Sequence, residues 1–342
     1  MGSIIVQSAE QRKQGIRIEV DSAARPLGEG NFGIVRRGVL INQQTGERRD
    51  VAVKFLYDDL SRNAIVRAEK EASICIHHEN LVEMIGFVRT EAEDGSGRVC
   101  EHYHVVSELL NGVMLYDLLA GTVTDTDGNE IMLAKKLYSM LQTDRNAFAL
   151  EISKSIVYGI NALHSHGYIH RDIDPSNIMI TSDGRIKLID LGIAKSITPT
   201  NDNGPHLTST GDFVGKAAYA APELVRGDIQ HQDVTTDIYA IGIMIYQLAT
   251  GTLPFNGAVN NILRQQINDD VPVSNIKNSK LRTIVKKATQ KNQVDRYQSA
   301  QELMDALEGN VSEEVTSSIA GIVIGAATVA GIALGVVLGL FL

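Results

Sequence analysis

The stretch HRDIDPSN, residues 170–177, sets an arginine beside an aspartate, and an asparagine follows five residues after that aspartate. A carboxylate such as Asp172 can take a proton from a reacting hydroxyl, and the amide oxygen of Asn177 can bind a hard cation. The stretch is therefore a candidate phosphotransfer loop, to be judged by the motifs around it. A second carboxylate, Asp174, lies between them, where a phosphate-handling site would favour positive charge.

A glycine-rich loop, LGEGNFGIV at residues 27–35, precedes this stretch and contains Gly28, Gly30 and Gly33. Glycines let a backbone turn tightly and bring its N–H groups close to phosphates. The same G-x-G-x-x-G spacing also occurs in dinucleotide-binding folds, where the loop leads into a helix. Here a β-like run, IVRRGVLI, follows, so we expect a strand–loop–strand unit.

Three more charged positions extend the pattern. Lys54 ends the β-rich stretch VAVK and is expected to bind phosphate. A lysine in that role needs an anchoring carboxylate, for which Glu69 and Glu71 compete; counting back from HHENLV favours Glu69, and Glu71 stays the alternative. Asp190 follows an apolar strand in IKLIDLG, and oxygen ligands from two loops, Asn177 and Asp190, suit Mg²⁺.

Together with AYAAPE at 218–223 and Asp237, these ordered motifs closely resemble the protein-kinase signature set. Over roughly residues 25–308 the chain is similar to eukaryotic-like (Hanks-type) serine/threonine protein kinases. The resemblance implies an α+β, bilobal kinase-like fold. The implied division is an N-terminal extension at 1–24, a β-rich N-lobe at 25–107, a hinge at 108–112 and a helical C-lobe at 113–308.

The resemblance also implies ATP and Mg²⁺ as cofactors and assigns roles to residues. Asp172 would be the catalytic base, Lys54 would bind the α- and β-phosphates while paired with Glu69, and Asn177 and Asp190 would hold Mg²⁺. The expected nucleotide contacts are Gly28, Glu29, Gly30, Asn31, Phe32, Gly33, Val35, Ala52, Lys54, Glu69, Glu108 and Leu110.

Two further roles implied by the resemblance are structural. Asp237 would brace the backbone of the HRD segment. Glu223 would form a buried ion pair with Arg296 in QVDRYQS. Peptide-phosphorylating kinases carry this pair, so it argues against a kinase-like enzyme acting on a small molecule.

Three positions depart from the family pattern. Leu191 replaces a phenylalanine and keeps an apolar side chain. Asp174 replaces the lysine that serine/threonine kinases usually place two residues after the base, and Lys216 replaces a threonine that contacts that lysine and the base. Two like charges about 4 Å apart repel by about 1 kcal/mol in water and about 4 kcal/mol at an effective dielectric of roughly 20.

Because two contacting positions changed with opposite sign, we hypothesise a swap. Lys216 would supply the missing catalytic cation, and Asp174 would orient it toward Asp172. The competing interpretation is that Asp174 marks a decayed site, but Lys54, Asp172, Asn177 and Asp190 are all intact.

Composition agrees with a globular protein: 342 residues, 44% hydrophobic and 21% charged, with a formal net charge of −9. An acidic chain without clustered lysine and arginine argues against general nucleic-acid binding. The two cysteines form no metal-binding spacing, so reduced thiols in a reducing compartment are expected.

The last segment, IAGIVIGAATVAGIALGVVLGLFL at 319–342, carries no charge. As a helix it would measure about 36 Å, against about 30 Å of bilayer core, so a transmembrane helix after a short linker at 309–318 is expected. A buried soluble helix is the alternative. Glycines spaced by four allow two such helices to pair, which raises a homodimer as a further expectation.

The sequence thus predicts a single-pass membrane protein whose kinase domain lies in the cytoplasm and phosphorylates protein serine and threonine hydroxyls, itself included. The candidate hydroxyls for self-phosphorylation lie between Asp190 and AYAAPE at 218–223, in the stretch called here the activation segment. The alternatives are an ATP-binding scaffold without activity and a small-molecule phosphotransferase. The activation-segment hydroxyls are Ser196, Thr198, Thr200, Thr208, Ser209 and Thr210.

Overall fold

An antiparallel sheet of seven strands forms the first lobe of the molecule. The computed structural model describes residues 2–30, 32–93, 95–191, 195–196, 216–228 and 230–309. The strands are β1 Ser3–Val6, β2 Ile16–Asp21, β3 Gly28–Gly30, β4 Gly33–Asn42, β5 Arg48–Leu56, β6 Met84–Glu93 and β7 Val99–Glu108. Their order across the sheet is β1-β2-β4-β5-β7-β6, with β3 also paired to β4.

The first two strands extend the sheet of this lobe. They lie in residues 1–24, which were predicted to be an N-terminal extension of the kinase domain, and they pair with its sheet. Val6, Ile18 and Val20 lie in its core, each at most 1% exposed. The apolar alternation Ile16, Ile18, Val20 is the period-two pattern of a half-buried strand, and it accounts for this placement.

Two helices accompany the sheet: α1 Ala9–Lys13, between β1 and β2, and α2 Arg62–Ala72, after β5. The hydroxyl of Ser61 accepts a hydrogen bond from the N–H of Ala64 and so caps the start of α2. The buried face of α2 carries Ala68, Glu71 and Ala72. A carboxylate therefore lies on the face of the helix that packs inward.

The second lobe is helical around a small sheet. Its central helices are almost entirely buried along their inner faces; Phe148 and Ile241, for example, are 0% exposed. The helices are α3 Leu115–Leu119, α4 Met132–Thr143, α5 Arg145–Ser165, α6 Pro222–Val225, α7 Val234–Thr250, α8 Val259–Asn268, α9 Ser279–Ala288 and α10 Ala300–Glu308. The two-lobed α+β fold predicted from the sequence is confirmed.

Short strands in this lobe carry the loops of the site. The strands are β8 Gly112–Met114, β9 Tyr168–Ile169, β10 Ile178–Thr181, β11 Ile186–Leu188 and β12 Lys195–Ser196. Strand β10 pairs antiparallel with β8 and with β11, and β9 pairs with β12. A 3₁₀ turn, Pro175–Asn177, leads directly into β10.

The two lobes are joined by backbone hydrogen bonds as well as by the chain. The N–H of Val82 donates to the carbonyl of Leu188 at 2.9 Å, and the N–H of Leu188 donates to the carbonyl of Asn80 at 2.8 Å. Helix α5 approaches this junction closely at Gly159, where an added Cβ would lie 2.8 Å from the Asn80 carbonyl oxygen. The junction holds the strand that precedes Asp190 against the first lobe.

None of the helices in the described part of the chain combines the length and apolar character that a membrane crossing needs. The segment at 319–342, for which a transmembrane helix was predicted, lies outside the described residues, as does most of the linker at 309–318.

A buried ion pair fixes the segment that follows the site. Arg296 donates to both carboxylate oxygens of Glu223 at 2.8 and 2.9 Å, with side-chain exposures of 0% and 5%. It also donates to the backbone carbonyls of Thr235, Gln290 and Lys291. Helices α6 and α7 are thereby tied together, in the arrangement that the family resemblance implied.

Replacing Arg296 with methionine is expected to lower the free energy of unfolding by about 3 kcal/mol, because the Glu223 carboxylate would stay buried without a partner. Urea denaturation measures the loss. Arg264→Met is the control, because Arg264 forms an exposed ion pair with Asp269 at 3.8 Å and should cost less than about 1 kcal/mol. Equal losses in the two variants would contradict the assignment.

Candidate active site

A cleft with a volume of about 490 Å³ lies between the sheet and the helical lobe. That size falls within the roughly 300–1,000 Å³ that is usual for small-molecule sites. Seven of the predicted contact positions line the cleft: Gly28, Glu29, Val35, Ala52, Lys54, Glu108 and Leu110. Phe32 lines a smaller cavity that adjoins it at Lys54, and Asn31 lies outside the described residues.

The glycine loop is the hairpin of β3 and β4, so a strand–loop–strand unit is present as predicted. Its third glycine is required for steric reasons. At Gly33 a Cβ would lie 2.0 Å from the carbonyl oxygen of Phe55 on β5, and φ is 155°. A Cβ at Gly28 or Gly30 would meet nothing within 4 Å. These two positions leave the cleft side of the loop open to a ligand.

The expected partner of Lys54 is corrected by the structure. Glu69, favoured in the sequence analysis, is exposed, whereas Glu71 is buried and lines both the cleft and the smaller cavity together with Lys54. Residues two positions apart point about 200° apart around a helix, so only one of the two can face inward. Among the described residues, the ion pair of Lys54 is with Asp190 at 3.8 Å.

The carboxyl group of Glu71 is strongly perturbed. Burial raises its pKa to about 8; the nearby charge of Asp190 also raises it, and that of Lys54 lowers it. Burial of a carboxyl group disfavours its charged form. A pKa of about 8 favours the protonated form of Glu71 at neutral pH in this state.

The side chain of Asp237 holds the backbone at the start of the loop at 170–177. The carboxylate of Asp237 accepts from the N–H of His170 at 2.8 Å, from the N–H of Arg171 at 2.7 Å and from His164 Nε2 at 2.8 Å. Burial alone would raise the pKa of Asp237, but His164 and the other donors lower it on balance. The bracing role that the resemblance implied for Asp237 is present in the structure.

Asp172, the predicted base, is 9% exposed at the floor of the smaller cavity. The amide of Asn177 donates to the Asp172 backbone carbonyl at 2.7 Å and to its Oδ2 at 3.0 Å. The ammonium of Lys216 contacts the same Oδ2. The structure thus brings three predicted residues together around one carboxylate oxygen.

Asp174 begins the 3₁₀ turn that follows. Its Oδ1 accepts from the N–H of Ser176 at 2.6 Å and from the Ser176 hydroxyl. Its Oδ2 is buried and has no hydrogen-bond partner among the described residues. Burial raises the pKa of Asp174, the Ser176 hydroxyl lowers it, and the charges of Asp172 and Lys216 act in opposite directions.

The ion pair between Lys187 and Glu108, at the first residue of the hinge, was not predicted from the sequence. Lys187 on β11 is 5% exposed, and its ammonium bonds to the Glu108 carboxylate and to the Leu81 carbonyl. The same Glu108 oxygen accepts the N–H of Glu83 at 2.8 Å. This pair fixes the backbone from Glu108 to Leu110. A lysine within the apolar run IKLID was the available signal.

Sequence reasoning also missed the apolar walls of the cleft. Strands β6, β7, β8 and β10, together with residues next to β3, β6 and β11, supply aliphatic and thioether side chains to the lining of the cleft. Their spacing carries no motif, so only the fold brings them together. They are Leu27, Val82, Met84, Val105, Met114, Met179 and Ile189.

The arrangement suits a planar ligand that carries a phosphate chain. Apolar walls and a fixed backbone edge at Glu108–Leu110 meet the flat part, and Lys54 meets the anionic part. Asn177 and Asp190 offer oxygen ligands of the kind Mg²⁺ prefers, and because the Asn177 nitrogen is occupied by Asp172, its amide oxygen is the atom left for a cation. Chemically, the site can hold a nucleotide and move a proton at Asp172.

Comparison with known proteins agrees with this geometry. A family model described as the protein kinase domain matches residues 22–307. The serine/threonine-protein kinase PknB of Mycobacterium tuberculosis is 32% identical over 264 residues, which are 75% of this chain and 38% of that protein. A probable serine/threonine-protein kinase PknB of Lactococcus lactis is 30% identical over 290 residues, 79% of this chain and 40% of that protein. The chain therefore spans about two fifths of the length of these relatives.

The proton on Glu71 predicts a specific pH dependence of stability. The folded pKa of about 8 exceeds the ordinary 4.5, so the stability that this proton contributes is complete below about pH 4.5 and is lost as pH rises through 8. Between about pH 4.5 and 8, the free energy of unfolding of the nucleotide-free wild-type protein should fall, relative to that of Glu71→Gln, by up to about 1.4 kcal/mol per pH unit. Urea denaturation between pH 6 and 9 measures the difference.

Glu69→Gln is the matched control, since Glu69 lies on the same helix and is exposed. This variant should follow the wild-type pH dependence. If Glu71→Gln follows it as well, the carboxyl group of Glu71 is already ionised in the folded protein and the assignment fails.

Proposed function

The chain belongs to the protein kinase family, and from that premise we propose that it transfers the γ-phosphoryl group of ATP to serine and threonine hydroxyls of proteins. The single observation that carries the proposal is the convergence of Lys54, Asp172 and Asp190 on one cavity at the inner end of the cleft. Phosphate binding, proton acceptance and cation binding are thus available within one space.

The proposed reaction is an in-line displacement. The oxygen of the acceptor hydroxyl forms a bond to the γ-phosphorus, and the bond from that phosphorus to the bridging oxygen of ADP breaks and leaves its electron pair on ADP. The hydroxyl proton goes to the carboxylate of Asp172. The protein contributes position and charge rather than covalent chemistry.

Mg²⁺ would be held by Asn177 and Asp190, and when bound it neutralises phosphate charge. Asp190 has a φ of 57°, in the left-handed region that residues other than glycine seldom occupy. This backbone conformation sets the direction of its carboxylate at the end of β11. Lys54, at 3.8 Å from Asp190, meets the phosphate chain beside the metal position.

Serine and threonine are the proposed acceptors because the relatives carry that activity in their names and because HRDIDPSN lacks the AAR segment of tyrosine kinases. Proteins are proposed as substrates because the Glu223–Arg296 pair supports the segment at which peptide-phosphorylating kinases bind their substrate. The scaffold alternative rests on Asp174 alone. The intact set of Lys54, Asp172, Asn177 and Asp190 favours catalysis over it.

Two features of the proposal lie beyond the described residues. The chain would phosphorylate its own activation segment, where five of the six hydroxyl positions fall outside the described part and Ser196 lies on β12. It would also be held in a membrane by residues 319–342, with the kinase domain on the cytoplasmic side. The glycine spacing in that segment supports pairing of two such chains.

Asp172→Asn is expected to reduce phosphoryl transfer at least about 100-fold, because removing a positioned proton acceptor costs roughly 10²–10⁴ in rate. The full chain is incubated with Mg²⁺ and γ-labelled ATP, with and without a generic protein substrate, and phosphoamino acids are identified. Label is expected on serine and threonine. ATP affinity should stay within about threefold, because Asp172 does not meet the adenine end.

Asp183→Asn is the control for this measurement, since Asp183 is an exposed carboxylate in the turn between β10 and β11. It should retain wild-type transfer. Wild-type protein that binds ATP but labels no better than Asp172→Asn would support the scaffold alternative instead.

The membrane segment is tested by placing charge at its centre. The full chain is expected to stay in the membrane fraction after alkaline carbonate extraction. The double variant Val329→Arg, Ile332→Arg should be released, because each arginine at mid-bilayer costs about 2.5–3.5 kcal/mol. Thr316→Arg, in the linker, should stay with the membrane. Release of the wild-type chain would refute the proposed anchor.

A further inference from the structure

The inner end of the cleft brings acidic and basic side chains together. Asp172 and Asp190 line it, Lys54 lies 3.8 Å from Asp190, and Glu71, Arg67 and Lys216 complete its charged and ionisable lining. An incoming γ-phosphoryl group would add further negative charge next to Asp172 and Asp174. Since like charges repel strongly where water is partly excluded, transfer at this position needs a second cation.

Among the basic side chains that line this cavity, Lys216 contacts Asp172. Its ammonium contacts Oδ2 of Asp172, and it lines the same cavity as Lys54 and Asp190. Its side chain is 39% exposed, whereas that of Asp172 is 9% exposed. The lysine therefore approaches a buried carboxylate from the open side of the cavity and has space in which to move.

The ammonium of Lys216 stays charged at this site. Burial alone would lower the pKa of Lys216, but the carboxylates of Asp172, Asp174 and Asp190 raise it above its ordinary value on balance. A lysine that remains protonated can act as a point charge on a phosphoryl oxygen.

Asp174 supplies a second, independent observation. One of its oxygens is used by Ser176, while Oδ2 is buried without a hydrogen-bond partner among the described residues. The whole residue is only 6% exposed. Such an orphaned buried oxygen is costly unless a nearby charge compensates it, and the Lys216 charge acts favourably on this carboxylate.

We propose that Lys216 is the catalytic cation that neutralises the transferring phosphoryl group. This inference rests on the proposed kinase function. Serine/threonine kinases usually carry this positive charge on a lysine at the position of Asp174. Here Lys216, in the segment before α6, would carry it instead.

The geometry also gives this lysine a second effect. In the state described, Oδ2 of Asp172 receives both the Lys216 ammonium and the Asn177 amide, the latter at 3.0 Å, and the ammonium charge makes this carboxylate a weaker proton acceptor. When a γ-phosphoryl group enters, Lys216 moves to its oxygen. The Asp172 carboxylate, no longer paired with the ammonium, then accepts the proton of the substrate hydroxyl as the new oxygen–phosphorus bond forms and the bond to ADP breaks.

The test exchanges the two residue types between their positions. Lys216→Thr should lower kcat about 100-fold, the usual effect of losing one group that stabilises transition-state charge, with the KM for ATP changed less than about threefold. Adding Asp174→Lys to Lys216→Thr restores a lysine at the loop position and should recover at least about tenfold of the lost kcat. Lys216→Arg keeps the charge and should stay within about tenfold of wild type.

Lys135→Thr is the control, since Lys135 pairs with Glu130 on the surface and should leave kcat unchanged. The inference is overturned if Lys216→Thr retains more than half of the wild-type kcat while Asp172→Asn is inactive; the proposed function then stands. It is also overturned if the double variant is folded by its thermal transition but no faster than Lys216→Thr. Wild type no more active than Asp172→Asn would overturn the proposed function and this inference together.

Discussion

The buried carboxylate of Asp237 is the constraint on which the site depends. It accepts two consecutive backbone N–H groups, from His170 and Arg171, and so holds Arg171 at a φ of 68°. A non-glycine residue keeps such a conformation only where its surroundings impose it. Since Asp172 follows directly, the direction of its carboxylate is set by a residue on α7, deep in the helical lobe.

Much of the site could be predicted from the sequence, because its residues sit at fixed offsets on short rigid elements. Asp172 and Asn177 are five residues apart on one loop, and the 3₁₀ turn between them brings the Asn177 amide onto Asp172. Lys54 lies within β5 and Asp190 lies two residues after β11, so the two sheets hold their positions. Order and spacing were therefore sufficient to bring these side chains to one cleft.

What could not be predicted depends on helix phase and on packing at a distance. A shift of two positions, from Glu69 to Glu71, reverses which side of α2 carries the carboxylate, and motif counting does not resolve it. The strand β2 was missed because its partner β4 lies beyond an irregular segment, so its pairing is not local. Lys187 reaches Glu108 across 79 positions in the chain, a contact that only the folded sheet reveals.

Of the two charged departures from the family pattern, Lys216 contacts Asp172 and Asp174 lies two residues after it in the same loop, and the proposal treats them as one charge rearrangement. The most direct measurement is a crystal structure of the protein with Mg²⁺ and a non-hydrolysable ATP analogue. The account predicts that the Lys216 ammonium leaves Asp172 and lies within about 3 Å of a γ-phosphoryl oxygen. A γ-phosphoryl group bound at the site with Lys216 still on Asp172, or turned away to solvent, would contradict it.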